Sequence, residues 1–155
     1  MRFTIRQSVF ETNSSSTHAI CIAPEYVDNF PDSVTFREED FGWGGEKTNS
    51  LQTKLNYLYA MIGHCEDDSI KDKIVNILNK HNIKTIFRGC AGCIDHGDET
   101  DMIIKVLADN EELLLRYLFG NSYLVTGNDN DDWYREVMQE NKEFFENYDI
   151  FEKWN

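Results

Sequence analysis

Residues 17–23, THAICIA, are the stretch that decides how this sequence is expected to fold. They form a short, largely apolar run between a hydroxyl-rich segment and a proline, which is typical of a β-strand. Residues 2–9 precede this run and alternate between polar and apolar side chains, which predicts another, half-buried strand. The residues between the two strands, ETNSSS at 11–16, are turn formers, so we expect a tight, hairpin-like connection there.

The rest of the chain alternates predicted helices with short predicted strands. Apolar residues recur every three or four positions in the helical segments, and Ser, Asp or Asn stands where a helix would begin. Residues 24–49 lack clear periodicity and predict a long loop with one short strand. The predicted helices lie at residues 51–65, 70–80, 98–108, 111–119 and 133–148, and the later predicted strands at 34–37, 83–87 and 122–126. This order predicts a single α+β domain over residues 1–155, in which a small antiparallel or mixed sheet packs with about five helices.

The chain is strongly acidic, with 28 acidic and 15 basic residues and a formal net charge of -13 at pH 7. Like charge repels the phosphate backbone, which argues against direct binding of duplex nucleic acid. The charge fits either simple solubility or binding to a basic protein. Acidic residues recur every three or four positions after residue 128, which predicts one negative face on the last helix. The predicted partner-binding residues are Asp129, Asp131, Asp132, Glu136, Glu140 and Glu143.

The N-terminus lacks the continuous apolar block of a signal peptide. No apolar run approaches the roughly 18 to 20 residues that a membrane span needs. We therefore expect a soluble, cytoplasmic protein. In that compartment a C-x-x-C pair is more typical of metal binding or redox chemistry than of a structural disulfide.

Two cysteines and a histidine recur at intervals of three in the glycine-rich loop at residues 89–97, GCAGCIDHG. Thiolate and imidazole are the ligands that zinc prefers, and the glycines allow the loop to curl so that these side chains converge. The predicted zinc ligands are Cys90, Cys93, His96 and His18, with Cys65, His64, Cys21, Asp95 or Asp98 as alternatives for the fourth. Four protein ligands would make the site structural, whereas a position open to water would make it catalytic. Two thiols packed beside a turn, or a thiol redox pair, are the competing interpretations.

The opening loop combines serines, a histidine and a carboxylate, the residue types of a nucleophilic site. A serine nucleophile needs an adjacent base and an orienting acid that meet in space, and the sequence has no G-x-S-x-G elbow. Asn, Ser and Thr also form turns by hydrogen bonding to their own backbone. We therefore assign no catalytic residue and expect a loop held by such bonds. The cluster GNDND at residues 127–131 likewise predicts the start of a helix rather than a cation site.

Residues 5–20, IRQSVFETNSSSTHAI, resemble the N-terminus of a family of small, mostly uncharacterised proteins of Gram-positive bacteria and their phages. That family begins with the pattern R-x-S-V-F-E-T-N-S-S-S-x-H. The resemblance extends to IDH at residues 94–96 and TGNDN at residues 126–130, while the four cysteines lie outside the pattern. It implies no catalytic residue. Polar residues at these three places suit a common site built from two loops and a turn.

A small, acidic, phage-type protein without an enzyme signature also resembles, by type, the anti-CRISPR proteins. This resemblance implies an inhibitor that acts in the host cytoplasm on a CRISPR effector nuclease, of type II as the first expectation. The acidic protein would occupy the positively charged channel of the nuclease and block the loading of nucleic acid.

Two alternatives stay open at this stage. One is a small metal-dependent hydrolase that acts on nucleotides, with the metal held by His18, Asp95 and His96. The other is a housekeeping protein with a structural zinc site.

Overall fold

The computed structural model describes residues 1–6 and 16–154. It contains seven strands and five α-helices, so the predicted α+β class and mixed sheet are confirmed. The strands are β1 (Arg2–Arg6), β2 (Ser16–Ile22), β3 (Ser33–Arg37), β4 (Glu46–Thr48), β5 (Lys84–Arg88), β6 (Tyr123–Asn128) and β7 (Asp149–Trp154). The helices are α1 (Leu51–His64), α2 (Ser69–Lys80), α3 (Asp101–Asp109), α4 (Glu111–Phe119) and α5 (Trp133–Glu140), and a short 3-10 turn at Gly97–Thr100 precedes α3.

Five strands form the main sheet, in the order β1-β7-β2-β6-β4. The β1–β7 pair is parallel and the other pairs are antiparallel, while β3 and β5 form a separate parallel pair. Because β7 lies between β1 and β2, the expected hairpin pairing of the first two strands is wrong. Residues 7–15, which connect these strands, lie outside the described part of the chain.

The C-terminal segment is the other correction to the sequence prediction. The last helix was expected to continue to residue 148, but α5 ends at Glu140 and turns lead into β7. Strand β7 carries two adjacent charged residues, Glu152 and Lys153, both of which are buried. Charged side chains at these positions obscure the apolar pattern that normally identifies an interior strand.

Strand β2 is buried along its whole length and packs against helices on both of its faces. Ile20 and Ile22 face the larger core, which also contains residues of α1, α2, α3 and α4. Ala19 and Cys21 face a smaller core with Tyr134 of α5. Because both faces of β2 are buried, its sequence is a nearly continuous apolar run and does not alternate with polar residues.

Two helices begin with the caps that the sequence suggests. The Ser50 hydroxyl accepts a hydrogen bond from the backbone N–H of Thr53 at 3.3 Å, and the Asn110 side chain accepts one from Leu113 at 3.0 Å. Such caps satisfy backbone donors that the first helical turn leaves free. None of the helices in residues 1–6 and 16–154 is long and apolar enough to cross a membrane.

Candidate functional site

Polar side chains collect at one end of the main sheet, where β2 begins and β6 and β7 end. His18 of β2 is paired with Thr126 of β6 on one side and with Lys153 of β7 on the other. Ser16 is paired with Asn128. Directly paired residues project to the same face of a sheet, and residues two apart along a strand share that face. These five residues therefore lie on the face that packs against α1.

Ser16 connects a buried lysine to an aspartate. The Lys153 ammonium is fully buried and donates hydrogen bonds to the Ser16 hydroxyl at 2.7 Å and to its carbonyl at 3.1 Å. The Ser16 hydroxyl donates to the carbonyl of Asp95 at 3.0 Å, and the Ser16 N–H donates to the Asp95 carboxylate at 3.3 Å. The hydrogen bonds from Lys153 tie the start of β2 to the end of β7.

Asp95 also holds the indole of Trp43. The Trp43 Nε1–H donates to the carboxylate at 2.7 Å, although half of the Trp43 side chain, 51%, is exposed. Burial alone would raise the pKa of Asp95, but the Trp43 N–H, the neighbouring His96, the Ser16 N–H and the Lys153 charge outweigh it and lower the pKa. Asp95 is therefore a carboxylate at neutral pH.

His18 is a neutral structural residue. Its Nε2 lies 2.9 Å from the carbonyl oxygen of Gly42, which only accepts, so Nε2 carries the hydrogen. Its Nδ1 then accepts from the Tyr57 hydroxyl at 3.0 Å. Burial, followed by the charge of Lys153, lowers the pKa of His18 from its usual 6.5 to about 4. We assign this tautomer from the hydrogen-bond partners.

The two loops around this cluster are joined to each other by backbone hydrogen bonds. The N–H of Phe41 donates to the carbonyl of Cys93 at 2.7 Å, and the N–H of Asp95 donates to the carbonyl of Phe41 at 2.9 Å. The Ile94 N–H donates to His64 at 3.0 Å. The loop of residues 89–97 is thus a fixed part of the fold, and a side chain on Gly92 would overlap the backbone of the facing loop.

The predicted zinc ligands do not share a common point in the described residues. Residues 1–6 and 16–154 contain no group of three or more His, Cys, Asp or Glu side chains placed to hold a metal ion. Cys90 and Cys93 are exposed, and a hydrogen bond to Glu38 raises the pKa of the Cys90 thiol. His96 has a left-handed backbone, with φ of 53°, and its Nε2 is 3.9 Å from Asp95.

Three of the candidates for the fourth zinc ligand, His18, His64 and Cys21, have other contacts. Both ring nitrogens of His18 are bonded, which does not fit a ligand role there or in the alternative hydrolase site. His64 accepts from Ile94, and Cys21 is buried on the opposite face of β2. Cys65 is half-buried at the end of α1. Zinc binding stays a prediction. Mass spectrometry would establish it by finding one zinc per chain in the protein and none in the Cys93→Ser variant.

The acidic residues predicted to bind a partner fall into three groups. Glu136 and Glu140 are exposed on α5, at positions that share a helical face with Trp133. Glu143 lies past the end of α5, where it borders a cavity of about 900 Å³ together with Lys142. The single negative face expected for a longer helix is therefore divided.

The turn before α5 supplies the remaining predicted partner-binding residues. Asp131 and Asp132 are exposed, and Asp129 is half-buried. The Asp131 carboxylate accepts from the N–H of Trp133 at 3.0 Å, and the Asn128 side chain accepts from the N–H of Asn130 at 3.0 Å. These bonds are those of a turn that starts a helix, as predicted for GNDND.

No protein-family model, curated protein sequence or solved protein structure matches this chain. The family resemblance of the opening residues stays a prediction. The structure does place one residue from each of the three polar stretches, Ser16, Asp95 and Asn128, at the same end of the sheet. Sequence analysis missed Lys153 as a member of this cluster, because Lys153 lies in a strand that was not predicted.

Proposed function

We propose that the protein inhibits a host defence nuclease by binding its positively charged nucleic-acid channel. A type II CRISPR effector is the proposed target, and blocked loading of nucleic acid is the proposed mechanism. The observation that carries the proposal is an exposed tryptophan on a loop that contacts the acidic turn and α5, on a chain with a net charge of -13.

We call this region the Trp43 surface, and it consists of Trp43, Asp131, Asp132, Glu136 and Glu140. The carbonyl of Trp43 accepts a hydrogen bond from the Asn128 side chain at 3.3 Å, which ties its loop to the acidic turn. A side chain on Gly45 would lie 2.8 Å from the ring of Trp133, so the same loop also touches α5. The loop that carries Trp43 therefore contacts both the turn and the helix that carry these acids.

The chemistry of this surface suits a basic protein partner. Exposed tryptophans are among the residues that contribute most binding energy in interfaces, and complementary charge accelerates association. Arg135 is 3.9 Å from Asp132, in an exposed pair that neutralises little of the charge of these acids. The hydrogen bond from Trp43 to Asp95 orients the indole before any partner arrives, which reduces the entropy cost of binding.

The direct test is target-DNA cleavage by a guide-loaded type II CRISPR nuclease, titrated with this protein. We expect inhibition that saturates near one protein per nuclease and that is stronger when the protein is added before the DNA. No inhibition at large excess would contradict the proposed target. Inhibition that is independent of the order of addition would contradict blocked loading.

Charge reversal tests the surface itself. Glu136→Lys with Glu140→Lys should weaken inhibition, because both side chains are exposed on the proposed face. The matched control is Glu25→Lys with Asp28→Lys, which makes the same change in net charge beyond the opposite end of β2. Equal loss of inhibition in both double variants would show that only total charge matters and would rule out this face.

Trp43→Ala tests the aromatic contact. We expect a loss of about 2 kcal/mol of binding energy, or roughly 30-fold in affinity, if Trp43 is a central contact. Phe144→Ala is the matched control, because Phe144 is exposed to a similar extent, 48%, in the turns after α5. Titration calorimetry against the purified nuclease would measure both, and equal affinities would remove Trp43 from the interface.

A further inference from the structure

Lys54, in the first half of α1, is a buried lysine in an unusual environment. Its side chain is only 1% exposed, and its Nζ donates to the carbonyl of Gly120 at 3.2 Å. No carboxylate of the described residues lies within 4.0 Å of this amine. By contrast, Lys73 and Lys80 are exposed and paired with carboxylates. A buried ammonium without a countercharge is costly, so such lysines are uncommon.

The lysine borders a surface cavity of about 590 Å³. Polar and apolar side chains share its walls, which come from the loop before β3, the start of α1 and the end of α4. Phe30, Pro31, Leu118 and Phe119 form part of these walls, and the exposed Val27 stands at the edge. A cavity of this size and lining accommodates a small molecule with an apolar body.

Burial also changes the protonation of this amine. The loss of solvation lowers the pKa of Lys54 from its usual 10.5 to about 8. A much larger share of Lys54 than of an ordinary lysine is therefore neutral near pH 7, and the neutral amine is the form that attacks carbonyl carbon.

We propose that Lys54 is a reactive amine that forms an imine with a small aldehyde or ketone seated in this cavity. The amine nitrogen attacks the carbonyl carbon, a C–N bond forms, and the carbonyl oxygen leaves as water with the two amine hydrogens. The imine nitrogen then takes one proton from solvent, and the Gly120 carbonyl is placed to accept a hydrogen bond from the resulting N–H. Phe30, Leu118 and Phe119 would contact the apolar body of the ligand.

The experiment uses benzaldehyde with sodium cyanoborohydride at about pH 7, where the free amine governs the rate. The reductant delivers hydride to the imine carbon and leaves a stable benzylamine on the modified lysine. Peptide mapping of the folded protein should show roughly tenfold or more modification at Lys54 than at Lys73. Equal or lower modification at Lys54 would overturn the proposal. In urea the preference should disappear, and a preference that survives unfolding would also overturn it.

Two variants separate the cavity from the lysine. Val27→Trp places a large ring at the edge of the cavity and should reduce modification of Lys54 several-fold without changing that of Lys73. Unchanged modification of Lys54 would show that the aldehyde does not use this cavity, against the proposal. Lys54→Arg keeps the charge without a primary amine, and its other lysines should be modified as in the unaltered protein. This readout is independent of nuclease inhibition.

Discussion

At the scale of single residues, His18 should make the fold sensitive to acid. Its pKa is about 4 in the folded protein and 6.5 when exposed, so the unfolded chain binds more protons between these values. The stability that His18 contributes is therefore present above pH 6.5 and is lost as the pH falls toward 4. The difference between those pKa values corresponds to roughly 3 kcal/mol.

The variant His18→Gln tests this effect, because glutamine offers a donor to Gly42 and an acceptor to Tyr57 without titrating. We expect urea denaturation to show a smaller loss of stability between pH 6.5 and pH 4 in this variant. His81→Gln, at the end of α2, is the matched control and should keep the steeper loss. Identical slopes in all three proteins would contradict a buried neutral His18.

Lys54 should make the stability of the fold depend on pH in the alkaline range. Its pKa is about 8 folded and 10.5 exposed, so the unfolded chain again binds more protons between these values. Stability should therefore rise from pH 8 to pH 10.5, and below pH 8 the fold carries the full cost of charging the buried amine. Lys54→Met should remove this rise and stabilise the protein at pH 7 by roughly 1 to 3 kcal/mol. Lys73→Met, which removes an exposed lysine, should do neither.

Part of the polar cluster at the end of the sheet could be predicted from the sequence. His18, Asp95 and Asn128 stood out because they lie in polar stretches, and the structure brings all three to one end of the sheet. Lys153 could not be recognised, since nothing local distinguishes it from an exposed lysine. Its role depends on β7 being placed next to β2.

At the scale of elements, the glycine-rich loop of residues 89–97 owes its shape to close backbone contact. A side chain at Gly92 would overlap the carbonyl group of Glu39, whereas nothing lies within 4 Å of the corresponding position at Gly44. Gly92→Ala should therefore destabilise the fold by about 2 kcal/mol or more, and Gly44→Ala should be nearly neutral. Thermal unfolding of the two variants measures this difference. Similar midpoints would show that the loop shifts to admit a side chain at little cost in stability.

The C-terminal strand shows why local pattern failed to give the topology. Phe144, Phe145 and Tyr148 lie at spacings that also fit a helix, and the charged pair in β7 hides its burial. In the structure Glu152 and Lys153 each have a polar partner of their own. Arg2 contacts Glu152 on one face of the sheet at 2.8 Å, while Lys153 donates to Ser16 on the other.

Removal of β7 should abolish the fold, because this strand is hydrogen-bonded to both β1 and β2. A chain that ends at residue 148 would leave β1 without its partner in the sheet and expose one edge of β2. We expect no cooperative unfolding transition by circular dichroism. The full-length Phe144→Ala variant controls for the neighbouring turn and should unfold cooperatively, and a cooperative transition in the shortened chain would contradict the central role of β7.

At the scale of the whole molecule, composition and element order were enough to predict the class of the fold but not the sheet order. Strand β4 has three residues and was missed, since so short a polar segment carries little signal. The position of β7 between β1 and β2 depends on contacts between residues about 150 positions apart, such as Arg2 with Glu152. Periodicity within a short window does not contain such information.

The net charge of -13 predicts opposite effects of salt on stability and on inhibition. Repulsion among the excess acids destabilises the compact state, and salt screens that repulsion. The same screening weakens attraction to a positively charged channel. Between about 0.1 M and 1 M NaCl the Debye length falls from roughly 10 to 3 Å, so this range of salt screens both the repulsion and the attraction. We therefore expect the melting temperature to rise and the concentration needed for half-inhibition to rise with it. Inhibition that tightens with salt while the melting temperature rises would mean that the partner is held by apolar contacts and not by charge.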